Sequence, residues 1–421
     1  MSRTSLPDGD KATPKPLAGI KVLDLTRVIA GPYCTMMLAD MGADVVKLEE
    51  PLKGDELRWV GRYRGRGPHD EDYFNASNRS KRSIGLNLKN PEDNRVALDL
   101  AGVADIVVEN FSPGVAARLG LGWESLSAGN PGLIYCSISG FGQTGPYRSR
   151  LALDPIIQAV SGVMSVTGNA DEPPMQIGAP LSDVVAGMFG AYSIVAALNG
   201  RTMTGKGRYI DISMQDAMLA VLGPRMGEAL QAGLNPQRHG NENPMRVPAN
   251  SYKTRSGDYI AIIVQNDNHW QSFCNAIDRN DLFADPEFKS MTDRVSHRRH
   301  LDEIVGMEFL ARDTAEWESR LAANRIPYAI VNTYLEAVDD IQVRHRKLIK
   351  DLMHPVSGPI RVVGAPWIMD GDTDRILPPP LLGEHTDDVL RDWLGRNEPG
   401  TRALASKSRS TETRQQHQKG D

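Results

Sequence analysis

Over its first two hundred residues the chain alternates short, nearly unbroken apolar runs with helical stretches. No other feature restricts the fold as much. Ile20 to Leu25 (IKVLDL) reads as a buried strand, followed by the turn Gly31-Pro32 and a helix-like stretch from Cys34 to Met41. Asp44 to Glu49 (DVVKLE), Asp105 to Phe111 (DIVVENF) and Leu133 to Ser139 (LIYCSIS) repeat the strand signature. Strands that are apolar on both faces and separated by helices belong to a parallel sheet covered on both sides. The spacing therefore predicts an α/β fold. Its ligand crevice lies at the carboxyl ends of the strands, among Val28–Pro32, Asn110–Gly114 and Gly140–Pro146.

The pattern changes after Arg208–Leu222, which passes from strand to helix character. Asn235 to Asn250 is rich in Pro, Asn and Gly; Ser251 to Val264 reads as a hairpin turning at Ser256-Gly257, and helical segments follow near Trp270–Ile277 and Thr314–Ala323. A chain of 421 residues exceeds what one ordinary core organises. Residues 235–331 are therefore predicted to form a second, smaller domain. Thr386 is predicted to cap the helix TDDVLRDWL, with Asp387 and Asp388 in its first turn where the helix dipole favours them. The ends, 1–16 and 398–421, read as flexible tails.

Charge and cysteine usage exclude several functions. Forty-eight basic against 53 acidic side chains give a net charge of -5, which argues against a nucleic-acid coat while permitting a local basic pocket. Cys34, Cys136 and Cys274 share no short spacing, so neither a disulfide framework nor a zinc knuckle is expected, and a reducing, cytoplasmic compartment is the default. The most apolar stretch, Val184 to Leu198, falls short of the ~20 residues a membrane span needs and reads as a buried core helix. Pro7, Asp8, Asp10, Pro14 and Pro16 occupy the place of a signal peptide's apolar region.

Three motifs carry chemistry. GFGQTG at Gly140–Gly145 follows a predicted strand and matches a dinucleotide fingerprint, but Pro146 follows at once and no strand ending in an acidic residue comes where a ribose ligand belongs. A tight glycine turn beside the crevice is the better reading. A basic stretch, Arg58, Arg62, Arg64, Arg66, Arg79, Lys81 and Arg82, is either a solvated face or a phosphate cradle of forked donors. Asp183 precedes the most apolar helix, and by pattern alone is an N-cap; its chemical reading is a nucleophilic carboxylate. An ordinary Asp, with a pKa of ~3.9, is ionised at neutral pH without help from a base, and a helix N-terminus favours that ionised form. Gly140 and Gly142 could supply amide donors to a developing oxyanion. No HExxH, paired histidine or Cys/His cluster indicates a metal, and G-x-S-x-G is absent.

Several blocks in fixed order carry a resemblance. PLAGIKVLDLTRVIAGPYCTMMLADMGADVVKLE, NRSKRSIGLNLK, ENFSPGVAARLG, LIYCSISGFGQTGP, the Asp183 segment, GKGRYIDISMQDAML and LLGEHTDDVL occur as in class III CoA-transferases. From Pro16 to Gly395 the chain resembles that family, which includes formyl-CoA transferase and α-methylacyl-CoA racemase. The resemblance implies a Rossmann-like parallel-sheet large domain built from residues 17–225 and 340–396, a smaller α+β domain at 235–331, and an interlocked ring homodimer. It implies that Asp183 attacks an acyl-CoA thioester, giving an aspartyl anhydride and then an aspartyl-CoA thioester. CoA then passes to a carboxylic acid, for which a small dicarboxylate is the preferred acceptor. Positions matching CoA contacts are Val28, Leu86, Asn87, Leu88, Lys89, Asn110, Phe111 and Arg118, with Lys89 and Arg118 the phosphate partners. Tyr73 matches an aromatic near the substrate.

The chain also departs from that pattern. Ile29 stands where formyl-CoA transferase has an active-site Gln, Leu151 replaces a Lys, and Glu242–Ala249 (ENPMRVPA) lacks the family's glycine run. Arg246 and His239 in that replacement loop are candidates for reading a second carboxylate, against the plainer reading of solvated loop charges. Glu124 and Leu153 occupy the positions of the racemase histidines, so epimerisation is disfavoured, and Asp154 is read as a helix cap. A catalytically silent CoA-binding protein is the third reading. The expected partners are acyl-CoA, the acceptor acid and a second copy of the chain. CoA is a substrate, no tightly bound cofactor is expected, and neither is nucleic acid or membrane.

Overall fold

The computed structural model describes residues 14–60, 71–369 and 376–396. Arg62, Arg64 and Arg66, and nearly all of the two predicted tails, lie outside these residues.

The apolar runs become one sheet: β1 (Lys21–Asp24), β2 (Asp44–Glu49), β3 (Arg82–Gly85), β4 (Ile106–Glu109), β5 (Ile134–Ser139) and β6 (Arg208–Ser213). Every neighbouring pair is parallel, in the order β3-β2-β1-β4-β5-β6. The chain builds outward from β1 to β3 and then returns to the other side of β1. The order therefore reverses between β1 and β4, and such a switch point opens a crevice beyond the strand ends. On one face Leu23, Val46, Val107 and Tyr135 pack with Leu100 of the helix Pro91–Val103 and with Val389 and Trp393 of the C-terminal helix Thr386–Leu394. That face is why a segment from the chain's far end belongs to this unit. The His385 amide donates to the Ser83 carbonyl at 3.0 Å, and Arg82 bridges Asp44 and Asp392. Thr386 is the first residue of its helix, not the cap; its hydroxyl oxygen instead accepts from the Gly85 amide at 3.3 Å.

The other face meets two helices, Ala30–Asp40 and Leu181–Thr204. They approach closely because glycine removes the intervening side chains. A Cβ on Gly187 would lie 2.6 Å from the Ala30 carbonyl oxygen, and one on Gly190 would lie 3.0 Å from Cys34 Sγ. The helix Leu181–Thr204 runs 24 residues, longer than the apolar stretch suggested, and an 18-residue window of it has mean hydropathy 1.6. It is a core helix on one side only. Ala186, Gly190, Ile194 and Ala197 are buried, whereas Met188, Tyr192 and Met203 are exposed.

The described residues divide into two compact units. One contains those of Met1–Ser161, Ile177–Gly223 and Arg346–Asp421; the other is Gly162–Gln176 with Pro224–His345. The second unit holds an antiparallel sheet, β7 (Ala249–Lys253), β8 (Tyr259–Ile263) and β9 (Tyr328–Ile330), with the predicted hairpin turning at Gly257. Its core is aromatic: Trp270, Phe273, Phe288, Phe309 and Trp317 are all buried together. Residues 162–176 belong here, although the sequence reading placed them in the large domain. The Arg238 guanidinium holds them by donating to the carbonyls of Ser165, Asn169, Ala170 and Glu172. β10 (Ile349–His354) and β11 (Gly358–Val363) form a separate hairpin within the first unit.

Candidate active site

The loop after β1 enters the switch point under tight control. Asp24, at the end of β1, accepts from the Thr26 amide at 2.9 Å and hydroxyl at 2.5 Å, and pairs with Lys81 at 3.0 Å. Lys47 donates to the Thr26 carbonyl at 2.8 Å and pairs with Asp55 at 3.0 Å. Burial alone would raise the Asp24 pKa, but the charges of Lys81 and Lys47 and two hydroxyl donors hold it at about 2. For Lys81 burial outweighs the attraction of Asp24 and brings its pKa down to about 8.

These contacts correct the reading of the basic stretch for three of its residues. Arg58 grips Glu49 through Nε and Nη2 at 2.8 and 2.9 Å, Arg79 pairs with Asp40, and Lys81 pairs with Asp24. All three cations are buried and paired inside the fold, so they are neither a solvated face nor a phosphate cradle.

Val28, Ile29, Asn110 and Phe111 do meet at the switch point. Ile29 is the residue preceding the helix Ala30–Asp40, and Val28 has φ 64, in the left-handed region. Both ends of the Asn110 side chain are committed. Oδ1 accepts the Arg27 amide and Nδ2 donates to the Arg27 carbonyl, each at 2.8 Å. Arg27 itself, which the sequence reading missed, is exposed and lies with its guanidinium 5.6 Å from the centre of the Phe111 ring. No carboxylate among the described residues pairs with it.

The run Leu86–Lys89 follows β3, the sheet edge, two strands or about 10 Å from β1. Leu86 is buried and its amide donates to the Glu49 carbonyl at 2.9 Å, while Leu88 packs against the core. Only Asn87 and Lys89 turn outward. Arg118 ends the short helix Val115–Arg118 and is exposed, and Tyr73 is likewise exposed in the helix Asp72–Asn75.

Asp183 is the third residue of its helix and does not cap it; Pro180 precedes the first turn and supplies no side-chain acceptor. The acceptor comes from 28 residues upstream. Asp154 Oδ1 takes the Ser182 amide at 2.8 Å and the Ser182 hydroxyl at 2.7 Å, and its other oxygen accepts from Gln158 Nε2 at 2.7 Å. Asp154 is thus a cap, but of the Asp183 helix and not of its own.

With the helix end satisfied in this way, the Asp183 carboxylate is left alone. It is half-buried and has no hydrogen bond or ion pair among the described residues. Burial, reinforced by the neighbouring Asp154 charge, pushes its pKa up to about 7. This overturns the expectation of an ordinary, fully ionised Asp: near pH 7 both forms are present. A half-buried carboxyl group perturbed in this way has the character of a functional group. One turn beyond Asp183, Gly187 touches the start of the helix Ala30–Asp40. The backbone of Asp183 therefore lies about 6 Å along the helix axis from that contact.

The glycine turn has local reasons of its own. A Cβ on Gly140 would meet Ala152 Cβ at 2.3 Å, Gly142 has φ 84, and the Gln143 amide donates to Asp211 at 3.0 Å. The Gln143 side-chain Nε2 and the Ser139 hydroxyl in this turn are buried without partners among the described residues. Neither was singled out from the sequence.

His239 and Arg246 belong to the second unit. Their loop is pinned: Arg298 donates to the Asn243 carbonyl at 2.6 Å, and the buried Arg294 donates to the Val247 carbonyl at 3.1 Å. Arg246 is half-buried with no carboxylate partner among the described residues, and His239 is half-buried. No group of three His, Cys, Asp or Glu among the described residues could hold a metal ion.

Comparison with known proteins gives this geometry a context. The family model for CoA-transferase family III matches residues 17–386. Succinyl-CoA:glutarate CoA-transferase of Mus musculus is 36% identical over 401 residues, covering 94% of this chain and 90% of that protein. Succinate--glutarate CoA-transferase of Agrobacterium fabrum is 38% identical over 380 residues, covering 89% and 95%. Among solved structures, a CAIB/BAIF family protein from Brucella suis superimposes with a TM-score of 0.81 at 32% identity, covering 90% of this chain and 100% of that one.

Proposed function

The chain belongs to CoA-transferase family III, and we propose that it moves CoA from succinyl-CoA to a second small dicarboxylic acid by way of Asp183. The observation that carries this reading is a half-buried carboxylate with no partner among the described residues, at the head of a helix whose end is capped by another residue.

An Asp183 oxygen attacks the thioester carbonyl, the C–S bond breaks, and CoA leaves as thiolate with an acyl-aspartyl anhydride behind it. The thiolate attacks the aspartyl carbonyl and releases the donor acid as carboxylate. The resulting aspartyl-CoA thioester is attacked by the acceptor carboxylate, which forms a second anhydride and frees the thiolate again. That thiolate attacks the acceptor acyl carbon, giving the new CoA ester and restoring Asp183. Each step exchanges one anion for another, so no base is needed once Asp183 is ionised. Burial serves the attack by leaving the carboxylate poorly hydrated, and donors aimed at the developing oxyanion supply the rest. Gly140, Gly142 and the unpartnered Gln143 Nε2 are candidates for those donors.

CoA is proposed to run from the switch point, over Val28, Asn110 and Phe111, toward Lys89 and Arg118 as phosphate partners, with Asn87 beside its path; Leu86 and Leu88, turned into the core, support that run from beneath. Tyr73 and Ile29 are assigned to the acyl end, and Arg246 and His239 to the second carboxylate of the acceptor. The exposed row Met188, Tyr192 and Met203 on the Leu181–Thr204 helix supports self-association as an interlocked homodimer, since such an apolar row marks an interaction face. Three free, unpaired cysteines keep a cytoplasmic location with this reading.

The test is an exchange assay with succinyl-CoA against a panel of mono- and dicarboxylic acids. Dicarboxylates should be the preferred acceptors, and Arg246→Ala should raise their KM with little change for a monocarboxylate. A preference for monocarboxylates contradicts the substrate assignment. No transfer to any acid from any acyl-CoA donor contradicts the reaction.

A further inference from the structure

Val28 is a β-branched residue in a left-handed backbone conformation, φ 64. Such a conformation is unfavourable for a branched side chain and persists only where the surroundings impose it. Two grips impose it here. From the β2 side, Asp55 accepts the Val28 amide at 3.3 and 3.2 Å through its two oxygens, and it is anchored in turn by Lys47 at 3.0 Å. Both side chains are buried, and Lys47 also holds the Thr26 carbonyl at 2.8 Å. From the β4 side, Asn110 clasps the Arg27 amide and carbonyl at 2.8 Å each. The grips straddle the switch point, where ligands bind in this sheet topology. A glycine at position 28 would take the same conformation without steric cost, so the fold itself does not need a strained valine held from two sides.

We infer that Asp55, backed by Lys47, and Asn110 are positioning residues for the CoA substrate. They act on CoA only through the backbone of residues 26–29, which they hold in the one shape that receives it. This rests on the CoA-transfer reading and goes beyond it, because neither side chain need touch the ligand. Asn110, whose polar atoms are both occupied, thereby changes role from contact to clasp.

The test uses the full-length chain in four variants: Asp55→Asn, Asn110→Ala, and each combined with Val28→Gly. Calorimetry gives the Kd for CoA, steady-state kinetics gives KM for succinyl-CoA and kcat separately, and thermal melts report folding. Each single variant should weaken CoA binding and raise KM by at least about tenfold while kcat at saturation falls much less. Adding Val28→Gly should recover most of the lost affinity, because glycine adopts the left-handed conformation unaided. A side chain needed only for stability gives no such recovery. Unchanged Kd in both single variants, or a defect that Val28→Gly leaves in place, overturns the inference. If Asp55→Asn does not fold, Asn110→Ala and its glycine partner decide the matter alone. A wild-type chain that transfers CoA while the variants bind normally defeats only this inference; one that binds no CoA defeats the CoA-transfer reading with it.

Discussion

Two places in the first unit treat the same chemical group in opposite ways. Beneath the β1 loop, Asp24, Glu49 and Asp55 are buried, yet each faces a cation: Lys81, Arg58 and Lys47 respectively. At the head of the Leu181–Thr204 helix, Asp183 is half-buried and faces none among the described residues. The pKa values follow the pairing, about 2 for Asp24 and about 7 for Asp183. Where every charge is answered, the carboxylates hold a loop in place. Where one is left unanswered, the fold has accepted an unfavourable group, and that group is free to react.

The largest effect should come from removing the unanswered carboxylate. Asp183→Ala is expected to lower the rate of CoA exchange by at least about a thousandfold with the secondary structure intact, because the proposed anhydride forms on that side chain. Assays with purified variant, checked by circular dichroism, decide this; an exchange rate near the parental one breaks the contrast. The paired region should behave in the reverse manner. Lys81→Met leaves Asp24 buried without its nearest cation and is expected to destabilise the fold by roughly 3–5 kcal/mol in denaturant unfolding. A loss near zero would mean that these buried ion pairs do not hold the loop.

The fold was legible where one stretch of chain explains itself. β1, β2, β4 and β5 announce themselves as apolar runs, and the hairpin of β7 and β8 is signalled by Ser256-Gly257. β3 was not, because its four residues begin at Arg82 within a charged run and its buried Ser83 needs Glu49, 34 residues away. The same limit hid the pairing of the basic stretch. A sequence shows Arg58, Arg79 and Lys81 as charges but not Glu49, Asp40 and Asp24 as their partners. Asp154 capping a helix that starts 27 residues later, and Arg238 drawing 162–176 into the second unit, are also long-range choices. The pattern offered Asp183 as a cap or a nucleophile and the resemblance implied the nucleophile; its solitude came only from the structure.

Smaller effects sharpen the comparison. Exchange should need the ionised form of Asp183, so kcat/KM should rise with pH through a midpoint near 7. Burial sets most of that shift and the Asp154 charge adds to it, so Asp154→Asn should move the midpoint to lower pH; a midpoint that stays or climbs would remove Asp154 from the account. Stability should carry the same signature. Because the folded-state pKa of Asp183 is raised from 3.8 to about 7, the folded chain holds that proton longer than the unfolded chain, and the charge disfavours folding most above pH 7. Asp183→Asn should therefore raise the melting temperature at pH 8, by roughly 2 °C or more, with a gain that shrinks as pH falls toward 4. For Asp24, whose pKa is lowered, the stabilising contribution is present at neutral pH and is lost only as pH falls through about 2.

The most direct measurement is to trap the acylated enzyme. Incubation with succinyl-CoA followed by hydroxylamine, peptide digestion and mass spectrometry should show a hydroxamate on the side chain at position 183, with loss of activity in proportion. Active exchange with that side chain unmodified, or a hydroxamate on a different carboxylate, would contradict the central claim.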